Sequence, residues 1–598
     1  MNALEAASLV MIPSGYEDGT LGSLKPTDGS GDFTFSRGSN ISATRVNADG
    51  YIEKGYENLL LQSNTFSDAA WSSSNFTLTP NQSGYDGSTD AWKAQVSTTY
   101  NSLSQNFGGS GVYTFSGYFR KGDSNEGIRF NFSASTDTNV YVDLTDGSST
   151  FNGTLIERSI TDVGSGFYKV VVTANLTNPN SVRIFVTNGG TTTIAGNIYI
   201  QDAMLNQGMV SYPYVETTTA SVAGGILEDM PRLDYSNGSC PSLLLEPSRT
   251  NLITSSEYFG AYTNSDFTLT TNDSTSPEGL TNATLFEATG TSAKYIEYNL
   301  AGAGTYTQSY FFKKGATSGY PSLSMFGLAS NDYETGVFDF DAKTFDETSG
   351  SITSFTNVSY DYEDFGNGWF RIWQTFTASK TNQRVRIVMF NEPTPTLGSI
   401  GQRNWTASGE SFSVYGWQTE AGSYPTSYIP TYGVSQTRLR DICDVSNVAS
   451  LIGQTEGTYV LDWVEKYGDS SYNLFGLSDG STNNYIYLYL NRLGQLKIGL
   501  IYSINNQLAF NDTTIQDLVY DERYKAAVVY TPSSIKLFLN GQLIVDESNF
   551  NYTGLSLDRL KYNGQTGNNF GFEMPVNQTL LFPTALSDEA CIELTTIS

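Results

Sequence analysis

Histidine occurs nowhere in this chain of 598 residues. Its absence removes the commonest general base and the commonest metal-binding nitrogen together. Ser-His-Asp and Cys-His nucleophilic sites and His-ligated zinc centres are therefore excluded. Cysteine is scarce: Cys240, Cys443 and Cys591 stand far apart with no Cys-x-x-Cys spacing. That offers neither a metal knuckle nor a disulfide framework, and buried free thiols are expected. Positive charge is the third shortage. Against 60 acidic residues stand 32 basic ones, a formal charge of −28, and such a surface is repelled by nucleic-acid phosphates and by anionic membranes. No stretch approaches the roughly 20 apolar residues of a membrane span. The opening Met1-Asn-Ala-Leu-Glu-Ala-Ala-Ser-Leu-Val-Met lacks the basic start and long apolar run of a secretory signal. Helical periodicity is nearly missing too. With aromatics at 13% and charged residues at only 15%, the composition is that of an all-β protein.

What the chain does have is one module written twice. Asn58-Leu59 leads to Phe66, and Asn251-Leu252 leads to Phe259 at the same spacing. Each copy continues with Phe-Thr-Leu-Thr (from Phe76 and from Phe267). Then come Gly111-Val-Tyr-Thr-Phe-Ser-Gly-Tyr-Phe-Arg-Lys-Gly122 and Gly304-Thr-Tyr-Thr-Gln-Ser-Tyr-Phe-Phe-Lys-Lys-Gly315. Gly166-Phe-Tyr-Lys-Val matches Gly368-Trp-Phe-Arg-Ile, Val182-Arg-Ile matches Val385-Arg-Ile, and Ser211-Tyr212 matches Ser427-Tyr428 near the close. Self-similarity at this scale decides architecture before any single element does. Short alternating or β-branched runs between Gly, Asn, Asp and Ser predict two-sheet antiparallel sandwiches, jelly rolls in each copy.

Residues 223–250 read as an extended linker whose Leu243-Leu-Leu245 patch docks on a neighbouring sandwich. From about residue 455 the pattern changes to longer apolar strands, including Leu537-Phe-Leu-Asn-Gly541, where Asn540-Gly541 is a two-residue hairpin turn. Lys525 to Tyr530, Leu537 to Gly541 and Ala585-Leu-Ser-Asp-Glu589 resemble the laminin-G or concanavalin A-like lectin sandwich. The first 40 residues are rich in Gly and Ser and poor in apolar residues, and are expected to form an extended arm. The expected domains are thus an arm over 1–57 for virion attachment, module 1 over 58–222, the linker, module 2 over 251–438 and a lectin-like domain over 439–598.

Arg232-Leu-Asp-Tyr…Cys240-Pro-Ser-Leu-Leu-Leu-Glu-Pro…Arg249-Thr-Asn-Leu252, Ser63…Phe66…Ala69-Ala-Trp71 and Gln418-Thr-Glu-Ala-Gly422…Tyr428-Ile-Pro-Thr431 resemble the phage virion fibre and spike proteins, in particular the phage head spike fibre domain family. The resemblance covers nearly everything after residue 40. It implies carbohydrate-binding-module-like jelly rolls on a virus particle, made in the host cytoplasm; no enzyme activity is expected, and no cofactor apart from a candidate structural Ca²⁺. It also implies other virion proteins, capsid or tail, and host-surface glycans as partners, and a homo-oligomer, most simply a trimer. Copy one departs from the pattern, with Leu205-Asn-Gln-Gly208 in place of Gln-x-Glu-x-Gly and no Tyr-Ile-Pro-Thr.

Sugars stack on flat aromatic faces and give their hydroxyls to amides and carboxylates. Strand alternation puts Trp369, Arg371 and Trp373 on one face and pairs Tyr415 with Trp417 on another. These five are the candidate carbohydrate-binding residues; the competing reading is that they fill a seam between domains or subunits. Under the repeat alignment Tyr415 and Trp417 correspond to Gln201 and Ala203, a half-exposed face in copy one. Asp86-Gly-Ser-Thr-Asp90 and Asp479-Gly-Ser-Thr-Asn483 could supply ligands to a structural Ca²⁺ through Asp86, Asp90 and Asp479, or serve simply as turns. Without histidine, any hydrolase would need paired carboxylates such as Asp361 and Glu363. Two alternatives to a glycan-binding fibre stay open: a purely structural capsid or tail component, and a polysaccharide depolymerase.

Overall fold

The alternating runs become strands, and every strand pairing among the described residues is antiparallel. The computed structural model describes residues 3–597 except 18, 40–41, 124–125, 237, 318, 328–331, 399, 467, 469–471, 492–495, 549, 551–555 and 563–572. The fold is all-β. Each module is a jelly-roll sandwich of two 6-stranded sheets, and the two modules share one strand order.

The opening Asn of each copy explains why the repeat begins there. Asn58 is fully buried and reaches across to the closing strand: its amide donates to the carbonyls of Ala203 (3.3 Å) and Val215 (2.9 Å), and its oxygen accepts from the backbone of Leu60 and Leu205. Asn251 does the same with Trp417, Ile429, Ile253 and Thr419. A residue that satisfies four buried backbone groups has no neutral replacement. The same bonds correct the repeat alignment at its end. Val215 stands where Ile429 stands, so Tyr214 and Thr217, not Tyr212, are the partners of Tyr428 and Thr431. Both tyrosines meet the equivalent serine, Ser63 or Ser256, through their hydroxyls.

A third sandwich packs an 8-stranded sheet on a 9-stranded one, and its make-up overturns the expected arm. Leu9–Met11 pairs with the strand Met574–Phe582, and Phe33–Ser36 pairs with Ile442–Ser446. Leu9, Met11, Leu21, Phe33 and Phe35 lie in the same core as Trp463, Phe475 and Leu488. Few as they are, these apolar residues alternate, and alternation is sufficient to cover one face of a sheet. The linker patch also docks here: Leu243 to Leu245 pair with Val576 to Met574. Three separate pieces of chain therefore build one domain around the two modules. The expected hairpin is present, with Leu539 opposite Gln542 and positive φ at Asn540 (46°) and Gly541 (78°), as a type I′ turn requires. Cys443 and Cys591 are buried and Cys240 is exposed; all three are free.

Candidate functional site

The outer sheet of module 2 carries the site. Phe355–Gly366, Trp369–Ala378, Gly304–Lys314 and Ser411–Ala421 lie side by side in it. Across the first pair, Asp361 stands opposite Trp373 and Glu363 opposite Arg371. Directly opposed residues share a face, so these two carboxylates, the guanidinium and the indole project together. One end of this face is sealed by Ile52, which packs with Phe311, Trp369, Tyr415 and Tyr428. The other end opens into a cleft of about 440 Å³.

The cleft is a junction. Module 2 contributes Asp361, Tyr362, Glu363, Arg371, Trp373 and the loop Pro425 to Tyr428. The hairpin before module 1 adds Thr44, Arg45 and Val46, the linker adds Asp234 and Ser236, and the third sandwich adds Lys466, Asp521 and Glu573. Arg371 is held at the floor, its Nη2 donating to Ser309 Oγ (3.1 Å) and to the Thr426 carbonyl (2.8 Å). Lys466 bonds Asp521 at 2.8 Å. Burial raises three of these acids. Burial pushes Glu573 up to about 8, with Glu246 adding and Lys466 opposing. Burial also raises Glu363, against the pull of Arg371 and Lys466, and raises Asp361. Glu363 keeps an exposed surface, so it faces cleft water while walled by protein. The cleft thus offers one carboxyl pushed up to about 8, further acidic side chains, two kinds of cation and an aromatic wall.

Of the residues expected to form an exposed glycan face, the structure leaves only Trp373 half-exposed. Trp369 is buried, its Nε1 donating to the Thr275 carbonyl at 3.1 Å. Arg371 is buried but borders the cleft. Tyr415 and Trp417 are both wholly buried, and they do not share a face. Tyr415 packs with Phe311 on the outer side, whereas Trp417 sits in the inner core beside Tyr262 and Tyr298. The reason is a β-bulge. Phe311 pairs with Tyr415 and Ser309 with Gln418, so Gly416 and Trp417 together oppose Tyr310, and Gly416 takes φ of 64°. Module 1 has the same bulge at Asp202 and Ala203, opposite Gly117. Gln201 and Ala203 are buried there, not half-exposed.

The Gln-x-Glu-x-Gly motif proves to be an internal clamp. Glu420 accepts from Gln418 Nε2 (2.6 Å) and from the backbone and hydroxyl of Thr426, while Gln418 Oε1 accepts from the Ile429 N–H (2.7 Å). These bonds hold the loop that forms one lip of the cleft. Asp86 and Asp90 share the amide of Gln201, whose Nε2 lies 2.7 Å from Asp90 and 3.3 Å from Asp86. Asp479 closes its own turn on Ser481 and Asn484. Among the described residues no group of three or more Cys, Asp or Glu side chains is placed to hold a metal ion.

Asp234, Lys466, Asp521 and Glu573 escaped the sequence reading. Each comes from a different part of the chain, and no local pattern links them.

No protein-family model matches the chain, and no curated protein matches it. Solved structures similar to parts of it include the CBM40 of the Ruminococcus gnavus IT-sialidase bound to α2,3-sialyllactose, at 18% identity over 25% of this chain and 86% of that one, with a TM-score of 0.20. The NanB sialidase of Streptococcus pneumoniae shows 15% identity over 26% of each chain, with a TM-score of 0.22. The CBM22-1–CBM22-2 tandem of Paenibacillus barcinonensis Xyn10C shows 9% identity over 65% of this chain and all of that one, with a TM-score of 0.21. Scores this low carry no weight for function.

Proposed function

We propose that the chain is a structural protein of a bacteriophage particle, a head or tail fibre or spike, whose junction cleft binds glycans of the host surface. The observation that carries the glycan reading is the cross-strand set Asp361, Trp373, Glu363 and Arg371 at the mouth of an enclosed cleft. A half-exposed indole flanked by carboxylates and a fixed guanidinium is the chemistry that grips a pyranose ring and its hydroxyls. Five acidic side chains against three basic ones around the cleft favour neutral or amine-bearing sugars over uronates. The virion role is supported by the resemblance of the 232–252 segment, and it brings with it a homotrimer that multiplies weak sites by avidity.

A second reading, glycan cleavage, is favoured by one observation. Glu573, pushed up to about 8 by burial, shares the cleft with Glu363, and two carboxyl groups facing one cleft are what glycoside hydrolysis uses.

Binding of the purified protein to a panel of bacterial surface polysaccharides, read together with release of reducing ends, separates the readings. Retention that is lost in Trp373→Ala supports the adhesin, release of reducing ends supports cleavage, and neither leaves a purely structural component. Light scattering in the same buffer tests the trimer.

A further inference from the structure

Lys54 is a buried cation where the hairpin meets module 2, and the binding cleft makes no use of it. Its Nζ lies 2.7 Å from Glu257 Oε1 and 2.9 Å from Glu278 Oε2, with the three side chains 1%, 1% and 5% exposed. The rings of Tyr212, Tyr415 and Tyr432 surround the ammonium at 5.6 to 5.7 Å. In module 1 Asn64 stands where Glu257 stands, and Gln201, bonded to Asp86 and Asp90, stands where Tyr415 stands. The fold therefore does not need a glutamate at this position.

One ammonium facing two carboxyls leaves a buried excess of negative charge, which is costly in a low-dielectric interior. A proton relieves it. Burial raises Glu257, the charge of Glu278 adds to this, and Lys54 opposes. The two oxygens of Glu257 are then unequal. Oε1 accepts from Lys54 and from the Tyr428 hydroxyl at 2.9 Å, whereas Oε2 has no hydrogen-bond partner among the described residues. That is the pattern of a neutral acid whose carbonyl is polarised and whose hydroxyl is free to leave. Glu278 accepts from the Tyr212 hydroxyl (2.9 Å) and from the Asn282 amide (2.8 Å) as well as from Lys54, and so is placed to take the ammonium's proton.

We propose that Lys54 and Glu257 condense into an intramolecular amide. Lys54 passes a proton to Glu278, and the neutral Nζ attacks Glu257 Cδ while Tyr428 steadies the developing charge on Oε1. Oε2 leaves as water. The proton for its departure comes from Glu278, and the proton then shed by the new N–H returns there. One N–C bond forms, one C–O bond breaks, one water is released, and Glu278 ends as the neutral acid. An ammonium, a carboxylate and an acid become an amide, a water and an acid, so mass and charge balance with no further reactant. The product removes buried charge and closes a covalent loop across a sequence separation of 203 residues that contains all of module 1. For a chain pulled between a particle and a surface, that loop bars separation of the hairpin from module 2.

Intact-mass spectrometry of the full chain tests this directly. The expected result is a protein one water lighter than its sequence, with the Lys54 peptide joined to the Glu257 peptide after proteolysis. Glu278→Gln, which keeps the fold's shape but removes the proton acceptor, is expected to have the full mass, as are Lys54→Met and Glu257→Ala. A wild-type chain of full mass with separate peptides would overturn the proposal and leave a buried ion pair.

Discussion

Tyr415 and Trp417 are two residues apart in one strand and lie on opposite faces of their sheet, because the bulge at Gly416 inserts an extra residue between them. Tyr415 belongs to the outer cluster around Ile52 and Phe311, and Trp417 to the inner core of module 2.

That separation divides the tryptophans by role. Trp417→Ala is expected to empty a core site and cost about 3–5 kcal/mol, visible as a lowered denaturation midpoint. Trp373→Ala is expected to leave the midpoint within about 1 kcal/mol and to abolish glycan retention. Equal loss of stability in both variants would remove Trp373 from the site.

Stability is expected to fall as pH rises from mildly acidic to alkaline. Asp202 and Glu334 are raised to about 7 and Glu573 to about 8, in each case chiefly by burial. Such groups hold their protons longer folded than unfolded, so the native state loses ground from their unfolded values near 4 up to about 8. Glu246 works the other way. Burial opposes its ionisation, but Arg438 and Arg232 outweigh it and hold the carboxyl at about 2, so its contribution is present above about 4.5 and lost as pH falls towards 2. Thermal scans should place the optimum near about pH 5; a midpoint that climbs from pH 5 to 9 would contradict this.

Arg232 binds Glu246 at 2.5 Å and also binds Asp441, Arg438 reaches Glu246 at 3.0 Å, and Arg37 reaches Asp441 at 3.3 Å, all without solvent exposure. Linker, module 2 and N-terminal segment meet in this network. Asp441→Asn is expected to cost about 3–5 kcal/mol, because it removes the buried carboxylate that pairs with Arg37 and one of the two that pair with Arg232. Chemical denaturation would measure it, and a loss under about 1 kcal/mol would mean water reaches the network.

Deleting residues 1–36 is expected to disrupt the third sandwich, not to trim an appendage. The deletion removes the edge strand at Leu9–Met11 and the Phe33–Ser36 strand together with the core residues Leu21, Phe33 and Phe35. Binding of a hydrophobic dye should rise while modules 1 and 2 keep their unfolding transition. An unchanged transition for the third domain would refute the placement.

The sequence by itself determined the repeated modules, their antiparallel sandwiches and the Asn540-Gly541 hairpin, because alternation and turn residues are local signals read within ten residues or so and the repeat shows in motifs that recur in one order. It also placed Arg371 and Trp373 on one face, since that strand has no bulge. Only the tertiary structure decided that Trp369, Tyr415 and Trp417 are buried. A bulge reverses alternation without marking the residue types around it, and Ile52, which seals the face, comes from more than 300 residues away in sequence. The same holds for the N-terminal segment, whose sparse apolar residues gain meaning only against the strands they pair with. It holds for the cleft as well, where Asp234, Lys466 and Glu573 meet Glu363 because three domains close around it. Long-range convergence of this kind costs chain entropy that only the finished packing repays, so no window of sequence contains it.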